Sequence, residues 1–387
     1  MGPRAVGKTT TARRLAGSFV RLDRPAEAGV VRADPDAALA DRPEPVVIDE
    51  WPLVPEVLGA VKRAVDDDPR PGRFVLTGSA GADLGAAGWP ATGRVVRVPL
   101  WGLTVRELIG DPATAGFLDR MAAVDGEPVQ LPAEVPDIRG YVEHALRGGF
   151  PEAALQEQPR LRRLWLDSWV DQVVARDVPL AGAGRDPVRL RRYLQAIAAN
   201  SAGVVQHRTL YEAAGINRLT ALAYDTVMET LFVTDRIPAW TSNRLVRLSR
   251  TAKRYLVDPA LVGPLLGMDP RAVLRDIDVL GRLLDGFVVA QLRAELAVSA
   301  ESPRLFHLRQ ENGRHEVDLL AERADGTVIA MEVKATASPS VRDAAHLVWL
   351  RDQLGDRFLR GIVLHTGPRP LRLAERVLAL PICALWS

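Results

Sequence analysis

The chain opens with a glycine-rich loop that runs directly into a helical pattern. The segment Gly2-x4-Gly7-Lys8-Thr9 matches the phosphate-binding loop G-x4-G-K-[ST]. Its glycines let successive backbone N–H groups face one phosphate, and a helix predicted over residues 8–16 adds its positive N-terminal end. A chain of this composition yields roughly 0.002 such matches by chance. A helix start that merely contains glycine is therefore the weaker interpretation.

This loop predicts a site for ATP and Mg²⁺. We expect Lys8 to reach the β- and γ-phosphates and the Thr9 hydroxyl to ligate Mg²⁺. The predicted nucleotide-binding residues are Gly2, Pro3, Arg4, Ala5, Val6, Gly7, Lys8, Thr9 and Thr10. Such a loop normally follows a buried strand, so we expect that the natural chain starts about 15–25 residues upstream of Met1 or that the sequence is a fragment. Without that strand the loop would be poorly anchored and ATP binding weakened.

A strand-like segment ends in two acidic residues, Asp49 and Glu50. Asp49 lies 41 residues after Lys8. Residues 46–48 are all β-branched, which favours a buried parallel strand whose carboxyl end faces a ligand. We expect Asp49 to hold the Mg²⁺ shell and Glu50 to orient or deprotonate the attacking water as the catalytic residue. An ordinary strand that ends in solvated charge is the alternative.

Further segments extend a pattern in which strands alternate with helices. Residues 74–76 predict a strand, followed by the hydroxyls of Thr77 and Ser79, which either sense a terminal phosphate or form a turn. Residues 92–100 predict a fourth strand, and the apolar spacing in residues 54–67 predicts a helix on the sheet. The first 130 residues therefore indicate an α/β nucleotide-binding domain with a parallel sheet that lacks its first strand.

The composition limits the remaining classes of protein. The 387 residues carry a net charge of +2 and a single cysteine, which argues against a global polyanion-binding surface, a disulfide framework and a cysteine-rich zinc site. No apolar run reaches about 18 residues, so we expect a cytoplasmic protein without a membrane span. Only four of the 50 basic residues are lysines, namely Lys8, Lys62, Lys253 and Lys334. Against that arginine background, a lysine indicates a need for a compact ammonium group.

The middle of the chain predicts helices with apolar stripes. One stripe contains Leu161, Leu164, Trp165, Trp169 and Val173, and another contains Leu190, Tyr193, Leu194 and Ile197. Both stripes are expected to face the core. Residues 207–237 then predict a short helix, a turn at Gly215, a second helix and a strand, which is the order of a winged helix.

Basic residues accompany this winged-helix pattern. Arg218 lies near the start of the second helix, and a downstream segment contributes Arg244, Arg247, Arg250, Lys253 and Arg254. Such a cluster could contact DNA phosphates without reading the base sequence. The alternative is a winged helix that makes protein contacts and carries a solvated basic loop.

The C-terminal third predicts a β-hairpin with a second group of charged residues. Two strand-like stretches meet at Asp325-Gly326, a dipeptide that favours a tight turn. Glu332 and Lys334 share one strand face, and the hairpin would bring Asp318 beside them. Two carboxylates there could hold Mg²⁺ or Mn²⁺, with Lys334 as a catalytic residue beside the metal. A hairpin with a purely structural Glu–Lys pair is the alternative.

The loop, the segment around Asp49, "RGGFPEAAL", "RYLQAIAANSAG" and "EVDLLAERADGTVIAMEVKA" together resemble a large prokaryotic family of AAA-type ATP-binding proteins with an uncharacterised C-terminal domain. The resemblance implies an AAA-type P-loop domain, a winged-helix segment and a restriction-endonuclease-like C-terminal fold. Nucleases of that fold add an acidic residue from a preceding helix. The matching position here is Asp285, where relatives tend to carry Glu, and the shorter side chain would leave a metal under-ligated.

The sequence thus predicts an α/β protein of three domains: an AAA-type ATP-binding domain at 1–130, a helical and winged-helix segment at 131–265, and a restriction-endonuclease-like α/β domain at 266–387. We expect an ATPase that acts as a switch, with ATP and Mg²⁺ as cofactors, DNA as a candidate partner through the winged helix, and oligomers as an option. The alternatives are a metal-dependent DNA nuclease gated by nucleotide, with Asp285, Asp318 and Glu332 as metal ligands, and a catalytically silent signalling or assembly protein.

Overall fold

The computed structural model describes residues 1–78, 93–110, 115–123, 129–178, 186–243, 247, 250–310 and 313–387. The chain divides into two compact units. The first consists of residues 1–100 with 230–232, and the second of residues 101–229 with 233–387. None of the helices in the described ranges is both long and apolar enough to cross a membrane.

A three-stranded parallel sheet lies at the centre of the first unit, in the order β1-β2-β3. Its strands are β1 (Ser18–Arg21), β2 (Val46–Asp49) and β3 (Phe74–Leu76). Its helices are α1 (Lys8–Leu15), α2 (Pro25–Ala33), α3 (Pro35–Leu39) and α4 (Val57–Asp67). The helix predicted after the glycine-rich loop, the strands at 46–48 and 74–76, and the helix within 54–67 are all present.

Strand β2 is the middle strand, and every residue in it is buried. Val47 and Ile48 are fully inaccessible to solvent, and Leu58 and Val61 of α4 pack into the same apolar cluster as Ile48. A β-branched run that is buried on both faces suits the central strand of a parallel sheet. This placement directs the carboxyl end of β2, with Asp49, toward the edge of the sheet where ligands bind in open α/β folds.

The prediction of a fourth strand at 92–100 is wrong for the described residues 93–100, which form no strand. Val96 is 88% exposed and Val98 is 62% exposed, so alternate apolar side chains do not reach a core. The backbone of this segment is joined to Met1, through the Met1 amino group to the Val98 carbonyl at 2.7 Å and the Leu100 N–H to the Met1 carbonyl at 2.6 Å. Two bonds to one residue do not make a ladder, and Pro99 has no N–H to extend it.

The second unit combines helices with two sheets among its described residues. Its helices are α5 (Val105–Ile109), α6 (Phe117–Ala122), α7 (Ile138–Arg147), α8 (Pro151–Ala154), α9 (Pro159–Gln172), α10 (Pro187–Ala199), α11 (His207–Ala213), α12 (Arg218–Thr230), α13 (Val262–Leu266), α14 (Pro270–Arg275), α15 (Ile277–Leu296) and α16 (Ala345–Leu354). Its strands are β4 (Thr234–Ile237), β5 (Lys253–Leu256), β6 (Arg304–Gln310), β7 (His315–Glu322), β8 (Val328–Lys334), β9 (Phe358–His365), β10 (Leu371–Ala374) and β11 (Val377–Pro381).

A six-stranded mixed sheet runs in the order β10-β11-β9-β8-β7-β6. Strands β6, β7 and β8 are antiparallel, whereas β9 pairs in parallel with both β8 and β11. The predicted hairpin is present, because β7 and β8 pair across a turn in which Gly326 has φ 84°. A residue with a side chain would be strained in that left-handed conformation, which explains the glycine.

Of the two apolar stripes predicted to face the core, one is buried as expected and the other only in part. Leu190, Tyr193, Leu194 and Ile197 of α10 are all buried, as expected. On α9, Trp169 is buried, but Leu161 is 43% exposed and Leu164 is 54% exposed, so the predicted core position of these two leucines is wrong. They lie in the first half of α9, whereas the buried side chains of this helix lie in its second half. The buried face of α9 therefore covers only part of the helix length.

Candidate functional sites

The glycine-rich loop bends sharply before α1. Ala5 has φ 61° and Gly7 has φ 93°, both in the left-handed region. Gly7 is the N-cap of α1 and offers no side chain to accept the first helical N–H groups. Those groups have no partner within the helix, so an uncapped N-terminus leaves donors and the positive end of the helix dipole for an anion.

Lys8 folds back over this loop. Its ammonium group donates to the carbonyl oxygens of Gly2 at 3.0 Å and Pro3 at 2.7 Å. Burial lowers the pKa of Lys8 to about 8, while the nearby charges of Glu50 and Asp49 act in the opposite direction. The flexible stem of lysine allows the ammonium to leave two neutral carbonyls for a phosphate, so this position suits a lysine that binds an anion.

Asp49 joins the loop to the sheet. The Thr9 hydroxyl donates to Asp49 Oδ1 at 2.9 Å, and the Thr77 hydroxyl donates to the same oxygen. The carboxylate is buried, with 3% of the residue exposed. Thr77, which the sequence places either at a phosphate or in a turn, therefore orients Asp49, and Ser79 lies outside the described residues. The structure brings the predicted phosphate-loop hydroxyl and the predicted metal carboxylate into direct contact.

Glu50 follows β2 in a conformation that is uncommon for a residue with a side chain. Its φ and ψ are 54° and 44°, in the left-handed region. Such backbone strain costs about 1–3 kcal/mol and concentrates at functional sites. The turn continues into a short 3₁₀ helix, Trp51–Leu53, in which Trp51 is buried in the apolar cluster. The packing of Trp51 thus stabilises the sharp bend of the backbone at Glu50.

The donor set fits a magnesium-bound triphosphate. It offers an ammonium, an uncapped helix N-terminus, a hydroxyl and a buried carboxylate, from Lys8, Gly7, Thr9 and Asp49 respectively. Mg²⁺ is typically held by one or two protein oxygens together with phosphates and waters. Thr9 and Asp49 supply two such oxygens. The chemistry of these residues therefore matches the predicted ligand, Mg²⁺ with a triphosphate.

The three C-terminal carboxylates that the sequence predicts as metal ligands do not gather into one site. Within the described residues, no group of three or more His, Cys, Asp or Glu side chains is arranged to hold a metal ion. Asp285 on α15 and Asp318 on β7 both contact the ammonium of Lys253, at 3.2 and 3.0 Å. Glu332 instead pairs with Lys334, Nζ to Oε2 2.7 Å. Two lysines therefore divide the three carboxylates between them.

Glu332 lies deep in the sheet. Only 3% of the residue is exposed, and burial raises its pKa, with the negative charge of Asp318 acting in the same direction. Its Oε1 atom has no hydrogen bond, and the ring nitrogen Nδ1 of His346 lies 3.7 Å away. His346 Nδ1 donates to the carbonyl of Glu316 at 2.6 Å. Glu332 and Lys334 thus share one face of β8, as predicted, and one oxygen of the Glu332 carboxylate has no hydrogen bond.

The basic cluster predicted to contact DNA phosphates is largely internal, and that expectation needs correction. Arg247 pairs with Glu322, Lys253 with two aspartates, and Arg254 with Asp225. Arg250 is exposed, and Arg244 lies outside the described residues. Sequence alone does not distinguish these cations, because the carboxylates that neutralise them come from distant elements.

The second helix of the predicted helix-turn-helix, α12, presents apolar side chains to solvent. Arg218 at its start is exposed, but Leu219 is 77% exposed and Leu222 is 42% exposed. A DNA-reading helix places polar and basic side chains at base edges and phosphates. The exposed leucines are more typical of a helix that contacts protein than of one that reads DNA.

The position of Lys253 does not follow from the sequence pattern. The pattern groups Lys253 with surface arginines, although it is 1% exposed. Two signals could have identified it. Lysine is scarce in this chain, and in strand β5 the alternation places Lys253 on the same face as the buried Tyr255. An inward-facing lysine requires anionic partners.

Three family models match successive parts of the chain. Residues 1–109 match the family described as AAA domain, 138–272 match a domain of unknown function (DUF8612), and 280–385 match a second domain of unknown function (DUF4143). "Uncharacterized protein Rv2008c" of Mycobacterium tuberculosis and "Uncharacterized protein Mb2031c" of Mycobacterium bovis are each 29% identical over 385 residues, covering 98% of this chain and 78% of each relative. No solved structure matches the chain significantly.

The family match and the parallel three-stranded sheet support an AAA-type ATPase domain at the N-terminus. The match also supports a nucleotide-binding, ATPase-like function. The chain continues into two domains to which the comparisons attach no function.

Proposed function

We propose that the protein binds ATP with Mg²⁺ at the junction of the glycine-rich loop and β2, and hydrolyses it slowly as a switch. The hydrogen bond between Thr9 and Asp49 carries this proposal, because it joins a phosphate-loop hydroxyl to a buried carboxylate at the end of a central parallel strand. Bound Mg²⁺ would supply charge neutralisation on the phosphates.

Each residue has a defined part in this proposal. Lys8 exchanges its two loop carbonyls for phosphate oxygens, and Thr9 and Asp49 hold the metal shell. Thr77 keeps Asp49 oriented, and Glu50 accepts a proton from, or positions, the attacking water. The left-handed backbone of Glu50 supports this assignment, because strain of this kind is retained where the surrounding fold imposes it.

The test is equilibrium binding of ATP and release of phosphate by the whole chain, with and without Mg²⁺. Lys8→Ala should weaken ATP binding at least about tenfold, because a charge-assisted contact to phosphate is lost. Lys62→Ala is the matched control, since Lys62 forms an exposed pair with Asp66 on α4. Glu50→Gln should retain binding and lose turnover. Equal ATP affinity in the Lys8 and Lys62 variants would refute the proposal.

We also propose that the middle segment is a winged helix that contacts protein. In its favour are α11, a turn at Gly215, α12 and the antiparallel pair β4–β5 in that order, with leucines exposed on α12. The C-terminal part is proposed to be restriction-endonuclease-like, because Asp285 on a helix precedes a hairpin that carries Asp318, Glu332 and Lys334. A plasmid-nicking assay with Mg²⁺ or Mn²⁺ separates retained cleavage from a silent fold.

A further inference from the structure

The ammonium of Lys253 lies between two carboxylates that arrive from separate elements. Lys253 on β5 is 1% exposed. Its Nζ atom is 3.2 Å from Asp285 Oδ2 on α15 and 3.0 Å from Asp318 Oδ1 on β7. A third contact, at 3.4 Å, reaches the backbone carbonyl of Asp318. The three N–H bonds of one ammonium therefore have three oxygen partners.

The remaining carboxylate oxygens of this pair are also occupied. Tyr255 donates its hydroxyl proton to Asp285 Oδ1 at 3.1 Å, and the Val333 N–H donates to Asp318 Oδ2 at 3.0 Å. Every oxygen of Asp285 and Asp318 thus has a donor from the protein itself. A metal ion would have to displace at least one of these contacts to gain a ligand.

The charges agree with this geometry. Burial acts to lower the pKa of Lys253, but the charges of Asp285 and Asp318 outweigh it and raise the pKa well above its usual value. Burial also acts on Asp318, yet the charge of Lys253 holds the pKa of that carboxyl below its usual value. At Asp285 burial outweighs the charge of Lys253 and raises the pKa to about 7, so the geometry of the cluster carries the argument. A charged ammonium in this position is consistent with the rule that buried charges are paired and fully hydrogen-bonded.

The choice of lysine is informative in this chain. Four of the 50 basic residues are lysines. An ammonium is a compact point charge with three donors, whereas a guanidinium is a planar fork that spreads its donors over a larger group. A site between two carboxylates 3.0 and 3.2 Å from one nitrogen requires a small cation. A divalent metal ion is also a small cation and would suit the same position.

We propose that Lys253 is the resident cation of this cluster and takes the position that a divalent metal ion would hold between Asp285 and Asp318. The C-terminal domain is therefore stable without metal, and these carboxylates do not support metal-dependent cleavage. This inference goes beyond the proposed ATPase function and is independent of the nucleotide site. It also departs from the metal site predicted from the sequence, because the ammonium of Lys253 occupies the space between Asp285 and Asp318 that a metal ion would need.

The test uses the full chain without nucleotide. Mn²⁺ binding is followed by electron paramagnetic resonance, and thermal unfolding is followed with and without Mn²⁺, in the wild type, Asp318→Asn, Lys253→Ala and Lys253→Ala/Asp318→Asn. The Lys253→Ala variant should melt at a lower Tm than the wild type, gain a Mn²⁺ site, and recover part of its Tm as Mn²⁺ is added. The double variant should lose that recovery. The wild type should show no Mn²⁺ site that depends on Asp318.

Two results would overturn the proposal. One is a Mn²⁺ site in the wild type that disappears in Asp318→Asn, since a metal would then be the native cation. The other is a Lys253→Ala variant as stable as the wild type in the absence of metal. If Lys253→Ala fails to fold, the comparison of wild type with Asp318→Asn still decides the question. Unchanged ATP binding in Asp318→Asn confirms that the nucleotide site is not involved.

Discussion

Arg247 and Glu322 form a bidentate ion pair, with Nη1–Oε2 at 2.6 Å and Nη2–Oε1 at 2.8 Å. The guanidinium also lies over the rings of Trp240 and Phe306. An arginine that the sequence pattern assigns to DNA phosphates is thus a packing residue between the segment after β4 and strand β7. Its charge is matched inside the protein and is unavailable to a nucleic acid.

From this pair we predict a stability effect and no effect on DNA binding. Arg247→Ala should lower the free energy of unfolding by about 3 kcal/mol, because Glu322 is left largely buried without its main partner. The exposed Arg250 is the control, and Arg250→Ala should change stability by less than about 0.5 kcal/mol. Chemical denaturation measures both. A loss of DNA affinity in a normally stable Arg247→Ala variant would contradict this assignment.

Thr77 provides a test of how Asp49 is oriented in the proposed nucleotide site. Thr77→Val removes one of the two hydroxyl donors to Asp49 Oδ1 while leaving the shape of the side chain nearly unchanged. We expect ATP affinity to change little and the Mg²⁺-dependent turnover to fall by about 10–100-fold, as is typical when a residue supporting a metal ligand is lost. Phosphate release measured against Mg²⁺ concentration checks this, and Thr77→Ser should restore turnover.

Asp225 on α12 is a second centre of buried charge. It is 2% exposed and accepts hydrogen bonds from Tyr193 Oη at 2.8 Å, Arg254 Nη2 at 2.9 Å and Arg236 Nη2 at 3.0 Å. Asp225→Asn keeps the size but removes the anion that both guanidinium groups face. We predict a loss of about 3 kcal/mol in the free energy of unfolding.

The control for this prediction is Tyr193→Phe, which removes the hydrogen bonds of the hydroxyl to Asp225 and His207 and no charge. That change should cost about 1–2 kcal/mol. Urea denaturation followed by circular dichroism gives both values. Equal losses in the two variants would mean that the charge of Asp225 contributes nothing beyond its hydrogen bonds.

The contrast between Lys8 and Lys253 indicates what sequence can predict here. The loop, strand β2 and Asp49 follow from local patterns, because the spacing of glycines and the β-branched run fix the elements, and the carboxyl ends of parallel strands meet at one edge. The partners of Lys253 lie 32 and 65 residues further along the chain. No local pattern specifies which carboxylates a strand will meet, so its neighbours emerge only from the packing of β5, α15 and β7.

His307 on β6 leads to a prediction about acid stability. It is 1% exposed, and its Nε2 atom donates to the carbonyl of Thr251 at 3.0 Å. Burial lowers the pKa of His307 to about 4, and the positive charge of Lys253 acts in the same direction. Between pH 6.5 and 4 the unfolded chain therefore binds a proton that the folded protein excludes.

Because of this difference, the neutral imidazole contributes its full stability above about pH 6.5, and that contribution is lost as the pH falls toward 4. The loss attributable to His307 should reach about 3 kcal/mol. In His307→Gln, a neutral side chain that can still donate to Thr251, the free energy of unfolding should fall less steeply over the same pH range. Urea denaturation at half-unit pH steps measures the difference. Parallel pH profiles for the variant and the wild type would show that His307 is protonated in the folded protein as readily as in the unfolded chain.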